Sequence, residues 1–555
     1  MKFMKKTYFL FVALIYIVSS CSLDKYPEVD FSDATFWKSA KDLQSASNRL
    51  YSQLGGFSHD RRTDELVGKA ANSISAGNQS VPIRSSAWYG PYECIYTANK
   101  ILDFAPRVTE LTEKELNVWL AEAYFFRAYN YFELITKYGD VPLILKSFDD
   151  PRDPVIYSPR SPREDVIQQC YEDLEFAAKW LPTNAKLAKS KWGNVTRSSA
   201  LGMIVRIGLY EGTFGKYHKL DNNYKAHLKK SIDAAEALKK EGHNLYPNFQ
   251  ELFTFKGEGK DNKENLLVKV YGPNGAGTTT HSNSRQMQNS VSLTRQMVDL
   301  FLYEDGLPRK KSEHAILKET SFNDIFTKRD PRLEMTIFKA KEIAYEDKEY
   351  IPLQNNPGFG YPLKKGFMQE EWATNNKETV DKMLIRYAEV LLAYAEALYE
   401  HNDKITDAQL DETVNKVRKR AGFEAKLTND FVTTNGLDML EEIRRERTVE
   451  FIDEGLRYDD IIRWKTAEKV LPVDLIGAKF VDDEAPGTQR DNIAHRLTDA
   501  EGKIKGRQVY DDVDMYVIEM ADTRQFNPER DYLYPIPKQE IIRSNYAVTQ
   551  NPKWD

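Results

Sequence analysis

Cysteine is nearly missing from this chain, with three residues among 555, at positions 21, 94 and 170. So few thiols cannot staple a body of this size, and the fold must rest on a buried apolar core. Cys94 and Cys170 leave open a single bridge in an oxidising compartment, but two isolated buried thiols are the expectation. Histidine is scarce too. None of the eight sits in a two-His helical arrangement and no paired-cysteine spacing occurs, so neither zinc nor any cofactor is expected. Serine-nucleophile elbows and phosphate-cradling glycine loops are missing. The formal charge is −6, with acids and bases mixed, which leaves no electrostatic footprint for nucleic acid. No Gly/Ser-rich or low-complexity tract divides the chain, so one body with long excursions is expected.

Long apolar runs are absent apart from Phe9–Val18, which follows Lys2, Lys5 and Lys6. That run is about half of the ~20 residues a helix needs to cross a bilayer, so residues 1–20 read as a cleaved secretory signal. It ends in Val18-Ser19-Ser20-Cys21, which resembles a bacterial lipobox. Cys21 would then be lipidated on its sulfur and become the first mature residue, its acyl chains holding the protein at a membrane surface. Asp24 and Glu28 resemble the acidic flank of surface-exported lipoproteins.

What the chain has in quantity is helical patterning and aromatic rings, 31 tyrosines and eight tryptophans. Such rings serve equally as core packing and as platforms for sugars. In residues 121–144 Ala121, Tyr124, Phe125, Ala128, Tyr131, Phe132 and Ile135 recur at three- and four-residue steps, with Gly139 as a stop. The spacing predicts further helices over 161–182 (Ser161 capping, Pro162 opening the first turn), 196–210, 227–240 and 383–400. Paired helices with small residues at their contacts suggest a mainly α body of tetratricopeptide-like helix pairs. In 441–455 acids interleave with Arg444, Arg445 and Arg447, which reads as ion pairing along a helix rather than a catalytic carboxylate pair.

Between the helices lie three long stretches rich in Gly, Asn, Ser and Pro, at 68–86, 271–286 and 350–372. Loops of this length in a compact body are often functional. Residues 264–272 alternate in the manner of a strand.

Residues 121–144, "RDPRLEMTI" (329–337), "LIRYAEVLLAYAEAL" (384–398), "VNKVRKRAGF" (414–423), "EEIRRERTVEFIDEGLRYDDIIRW" (441–464) and "YLYPIPKQEIIRSNYAVTQNPKW" (532–554), with the lipobox, together resemble the SusD/RagB family. The resemblance spans nearly the whole mature chain, residues 21–555, as an N-terminal region of about 21–230 and a C-terminal region of about 260–555. It implies a lipid-anchored, cell-surface protein of the Bacteroidetes outer membrane. Four tetratricopeptide-like helix pairs would dock on a SusC-like TonB-dependent transporter, and the irregular segments would form a face that binds an oligosaccharide or polysaccharide, in some members a peptide.

Binding a sugar needs flat rings and forked hydrogen-bonding groups. Arg84, Trp88 and Tyr89 follow the first loop. Trp88 falls on the stripe Trp88, Tyr92, Ile95, Asn99 and is divided between core and ligand, whereas Tyr89, one step off it, faces outward. The second loop offers Tyr271, Asn274, His281, Asn283 and Arg285, and the third offers Trp372. Trp180, Trp464 and Trp554 are assigned to packing. The alternative function is a helical scaffold that binds only protein partners.

Overall fold

The computed structural model describes residues 36–150, 152–220, 223–272, 279–352, 360–479, 507–510 and 513–554. The expected leader, Cys21 and Asn274 lie outside these residues. Helix α1 (Ala40–Tyr51) is followed by α2 (Ser86–Phe104) and α3 (Glu113–Tyr138). Helix α3 begins at a capping box, in which the Glu115 N–H donates to the Thr112 hydroxyl and the Thr112 N–H donates back to the Glu115 carboxylate at 2.9 Å. It ends at Gly139, whose φ of 71° suits a residue without Cβ. Between these ends Ala121, Phe125, Ala128, Tyr131 and Ile135 are completely buried, as the apolar spacing predicts.

Helix α4 (Arg163–Trp180) departs from its predicted start. Pro162, with ψ of 140°, stands outside the helix at the cap position. Ser161 is spent elsewhere, its N–H donating to the Val141 carbonyl at 3.0 Å. Asp140, carried alongside by that bridge, accepts the Arg163 N–H at 2.8 Å and so caps α4 from across the chain.

Helix α5 (Arg197–His218), capped by Thr196, packs on α6 (Tyr224–Lys239). Gly208 and Gly212 make that contact close. A Cβ at Gly208 would stand 2.7 Å from both the His227 carbonyl and the Ser231 nitrogen, and one at Gly212 would stand 2.6 Å from Leu228.

Two short helices, α7 (Asn283–Asn289) and α8 (Gln369–Ala373), follow in the loop-rich middle of the chain. Strand β1 (Leu66–Val67) pairs antiparallel with β3 (Ser292–Leu293), and β2 (Asn265–Lys269) with β4 (Lys382–Arg386). The helix expected over 383–400 therefore begins late. Met383–Ile385 fit either period, and β2 supplies a partner edge, so they extend and Arg386 becomes the N-cap of α9 (Tyr387–Asn402). Helices α10 (Met439–Glu450) and α11 (Arg457–Arg463) pack on α9 and α5 respectively. A three-stranded sheet, β5 (Leu475–Lys479), β7 (Val513–Glu519), β6 (Arg507–Tyr510), precedes the terminal helix α12 (Lys538–Arg543).

One large apolar cluster runs from Trp37 through these helices to Val548, and a second gathers residues between Leu66 and Ala478. Cys94 and Cys170 are separate buried thiols, with Cys94 pushed up to about 12 by burial. Bidentate arginine pairs lace neighbouring helices inside the larger core. Arg127 of α3 grips Asp173 of α4, and Arg163 of α4 grips Glu211 of α5. Arg206 of α5 grips Glu389 of α9, and Arg463 of α11 grips Glu396 of α9.

The charged run 441–455 is helical to Glu450, but its ion pairs lie only partly along the helix. Arg445 meets Glu442 one turn back at 3.2 Å. Arg444 and Arg447 instead reach Glu400 and Asp460, each at 2.9 Å. The acids Glu446 and Glu450, with Glu454 beyond the helix, join Glu264 and Asp330 in a buried knot with Arg332, Arg386, Arg418, Arg420 and Lys365. The residues face inward, so their partners come from other segments and not from i±4 neighbours.

Among the described residues no helix is long and apolar enough to cross a membrane.

Candidate functional site

One side of α2 carries the half-buried Tyr89, Tyr92 and Tyr96 at spacings of three and four, while Trp88, Ile95 and Ala98 are fully turned inward. Opposite that face runs the segment 142–148, which is pinned rather than loose. Asn99 donates to the Ile144 carbonyl at 2.9 Å, and the Ile144 N–H donates to the Tyr131 hydroxyl at 2.6 Å. Tyr92 donates to the Pro142 carbonyl at 2.9 Å, and Lys100 is ion-paired with Asp149. The C-terminal segment from Glu540 to Val548, on and beyond α12, supplies a third wall.

Between the three walls lies an open groove of about 630 Å³, within the range that accommodates a small organic ligand. Tyr89, Tyr96 and Phe148 line it, with Tyr96 and Phe148 in an edge-on contact at 5.4 Å. Its charged groups are balanced. Arg49, Lys146 and Arg543 face it with Glu93, Asp149 and Glu540. Burial raises the Glu540 carboxyl above its ordinary value, opposed by the nearby charges of Arg543 and Arg84.

The predicted site residues divide into two groups. Tyr89 is half-buried on the groove wall, and the exposed Arg84 holds its guanidinium 5.1 Å from the Tyr89 ring. Trp88 is 4 % exposed, edge-on to Tyr138 at 4.9 Å. Its ring therefore belongs chiefly to the core.

The second and third loops meet each other. His281 packs against Phe57 at 4.3 Å and the buried Tyr271 at 4.6 Å. Asn283 is buried. Arg285 lies over Trp372 of α8, whose indole N–H donates to Gln288 at 2.8 Å. The Glu378 carboxylate accepts the Ser284 and Arg285 N–H groups at 2.7 and 3.2 Å, capping α7.

His281, Glu371 and Glu378 come close enough to offer three ligand atoms to one cation. Those atoms are already engaged. His281 Nε2–H donates to the Val380 carbonyl at 3.0 Å, leaving Nδ1 to accept the Asn283 N–H at 3.2 Å, and Glu371 accepts the Val380 N–H at 3.0 Å. Burial, the largest influence, lowers the His281 pKa and raises that of Glu371. The arrangement pins residues 279–286 to 378–381.

Sequence reasoning found one wall of the groove and missed the other two. Tyr89, one step off the stripe of Trp88, Tyr92, Ile95 and Asn99, was the signal that was read, and Tyr96 was not singled out. Phe148 and the 540–548 segment are brought there by tertiary contacts that no local pattern announces.

A sequence model of the SusD family matches residues 254–554, and a second, described as starch-binding associating with outer membrane, matches residues 36–209. A SusD-like protein of Bacteroides ovatus is 26% identical over 491 residues, 83% of each chain. A SusD-like protein of Formosa agariphila is 24% identical over 578 residues, 99% of this chain and 100% of its own. In fold, the chain is similar to a SusD-like carbohydrate binding protein from Bacteroides fragilis, with a TM-score of 0.73 at 24% identity over 92% of this chain and 99% of that one. It is also similar to surface glycan-binding protein A from Bacteroides thetaiotaomicron in complex with laminarihexaose, with a TM-score of 0.60 at 17% identity over 93% and 100%. With more than half of its length matched by the family's own model, and a mainly α fold shared with solved members, the chain belongs to the SusD family.

Proposed function

We propose that this protein is a carbohydrate-binding receptor of the outer-membrane surface, which holds a glycan in the groove along α2 without breaking it. The observation that carries the reading is the groove itself, a three-walled space of about 630 Å³ with aromatic rings and charges of both signs at its surface. Rings give shape-selective stacking, and polar tips exchange water for sugar hydroxyls at a small net gain of ~1 kcal/mol each. Family membership supports this, as do the second model's description and the relative seen with laminarihexaose. In this reading Cys21 carries the lipid anchor, and the glycan passes to a SusC-like TonB-dependent transporter.

Calorimetry of the mature chain against laminarin, starch and a panel of plant, host and microbial polysaccharides tests it. At least one glycan binds, and Tyr89→Ala weakens that binding. Binding to none, or reducing-sugar release from any, overturns it. Mass spectrometry of the membrane-extracted protein checks the lipid at Cys21, and crosslinking in cells checks the transporter.

A second reading rests on exposed apolar side chains in the segments that carry the groove's walls. Leu145, Tyr157, Ile542 and Tyr546 adjoin or lie close to lining residues in sequence and are 40%, 44%, 62% and 70% exposed. Exposed apolar groups of this kind suit a peptide ligand or a protein partner. A peptide that competes with the bound glycan would favour that alternative.

A further inference from the structure

Strands β2 and β4 set Lys269 directly opposite Lys382 in their antiparallel register, so both side chains leave the strand pair on the same face. Like charges placed in this way oppose the pairing. Among the described residues neither ammonium has a carboxylate within 4 Å to offset that cost. Lys269 donates to the Leu54 carbonyl at 2.6 Å and Lys382 to the Gly56 carbonyl at 2.7 Å, which leaves each with two N–H groups for a further acceptor. Both lysines are half-buried, and burial lowers the pKa of each, as it does for a positive charge that the fold leaves uncompensated.

Beside Lys382 opens a narrow crevice of about 50 Å³, lined also by Phe57, Ser58 and His59. That is room for roughly three or four water-sized groups, and the exposed Ser58 leaves it reachable from solvent. The acids around it are engaged. Both Asp453 oxygens lie 2.9 Å from His59 Nδ1, and Glu454 is held by Arg386 and Lys365. Asp381 accepts the Trp192 indole N–H and the Tyr271 N–H, each at 2.9 Å. The remaining nearby cation, Arg206, is paired with Glu389. The unused groups at this place are therefore N–H donors on two like-charged side chains, and what they lack is an acceptor of opposite charge.

We propose that Lys269 and Lys382 form a binding site for a single carboxylate, whose two oxygens take N–H groups from both lysines. Charge-assisted bonds of this kind are the strong ones. A monoanion matches the site, because Asp453 and Glu454 already oppose part of the Lys382 charge, and a dianion of five heavy atoms would overfill the crevice and face those acids. The same group occurs on a free small acid, on a uronic acid of a glycan and at a peptide C-terminus. The site shares no lining residue with the groove along α2, so it is a second place of capture and does not depend on what that groove holds.

The test follows the line width of carbon-13 acetate as the full mature chain is added at constant ionic strength. Wild-type protein broadens the signal saturably. Lys269→Met and Lys382→Met each weaken acetate about tenfold, the scale of one lost charge-assisted bond, while Lys382→Arg keeps it within about threefold. On the wild type alone, affinity falls between pH 7 and 10 as the lysines lose their protons. Competition against acetate then separates the sources. A glucuronate-bearing trisaccharide or an N-acetylated tripeptide with a free C-terminus displaces it if that is the ligand, and if neither does the ligand is a free small acid. The neutral trisaccharide and the amidated tripeptide displace nothing. Absence of saturable broadening, an affinity independent of pH, or both Met variants binding as the wild type does overturns the proposal. So does sulfate bound as tightly as acetate, or displacement by either neutral control. None of these outcomes touches the glycan reading, which is tested at the other groove.

Discussion

The Arg285 guanidinium lies 3.5 Å over the ring of Trp372, and its Nε donates to the Trp372 carbonyl at 2.8 Å. One face of the ring is thereby closed, and the indole N–H is already held by Gln288. Trp372→Ala should lower the unfolding midpoint while leaving glycan affinity unchanged. Arg285→Ala should cost about 1 kcal/mol in denaturant titrations, the usual scale of a partly exposed cation–π contact.

Tyr89 and its neighbour Trp88 should separate binding from folding. Tyr89→Ala should weaken the glycan by ~1–3 kcal/mol, by analogy with ring-on-ring stacking of bases, without moving the unfolding midpoint. Trp88→Ala, which empties a core position, should cost ~3–5 kcal/mol of stability. Parallel calorimetry and thermal melts distinguish the two.

Glu450 is fully buried among Arg332, Arg386 and Arg420. Glu450→Gln removes a counter-charge that these three guanidinium groups share, leaving Arg332 to Asp330 and Glu446, Arg386 to Glu264 and Glu454, and Arg420 to Glu264, and should cost ~3–5 kcal/mol. Glu342, half-exposed and paired with Lys364, is the control. Its replacement by Gln should cost no more than ~1 kcal/mol.

Burial alone would raise Glu396 and Glu450, but Arg463 and Arg444 beside the first, and Arg420, Arg386 and Arg332 beside the second, more than reverse it and hold both at about 2. Folded values below the ordinary 4.5 mean that the unfolded chain takes up protons first. Their contribution is present above about pH 4.5 and is lost as pH falls towards 2. Equilibrium unfolding between pH 6 and 3 should show that fall.

Glu65 has the opposite sign. Burial is the main cause of its rise to about 8, helped by the charge of Asp453 and opposed by the Asp453 N–H. The folded state holds this proton more tightly than the unfolded one, so stability is intact below about pH 4.5 and declines as pH rises through 8. Glu65→Gln should remove that decline, read as a flatter profile from pH 5 to 8.

Much of the helical frame was legible because its signals are local. Gly139 ends α3 where the spacing put its stop, whereas the Thr112–Glu115 capping box that opens the helix at Glu113, ahead of the stripe that starts at Ala121, was not read. The misreadings share one physical cause, a distant partner that overrides local preference. Strand β2 draws Met383–Ile385 into a sheet, and Asp140 replaces Ser161 as the cap of α4. The acids of α10 look inward to arginines from other segments. At the site, Tyr89 could be placed because it departs from its helix's own apolar stripe, whereas Phe148 and Glu540 join it only through the fold.

The glycines of α5 carry a further consequence. With Gly208 and Gly212 turned towards α6, the two backbones touch with almost nothing between them, and neither can slide or roll on the other without collision. Because α9 packs on both members of that pair, the three helices form one closely joined unit, and relative motion within it meets backbone contact at once.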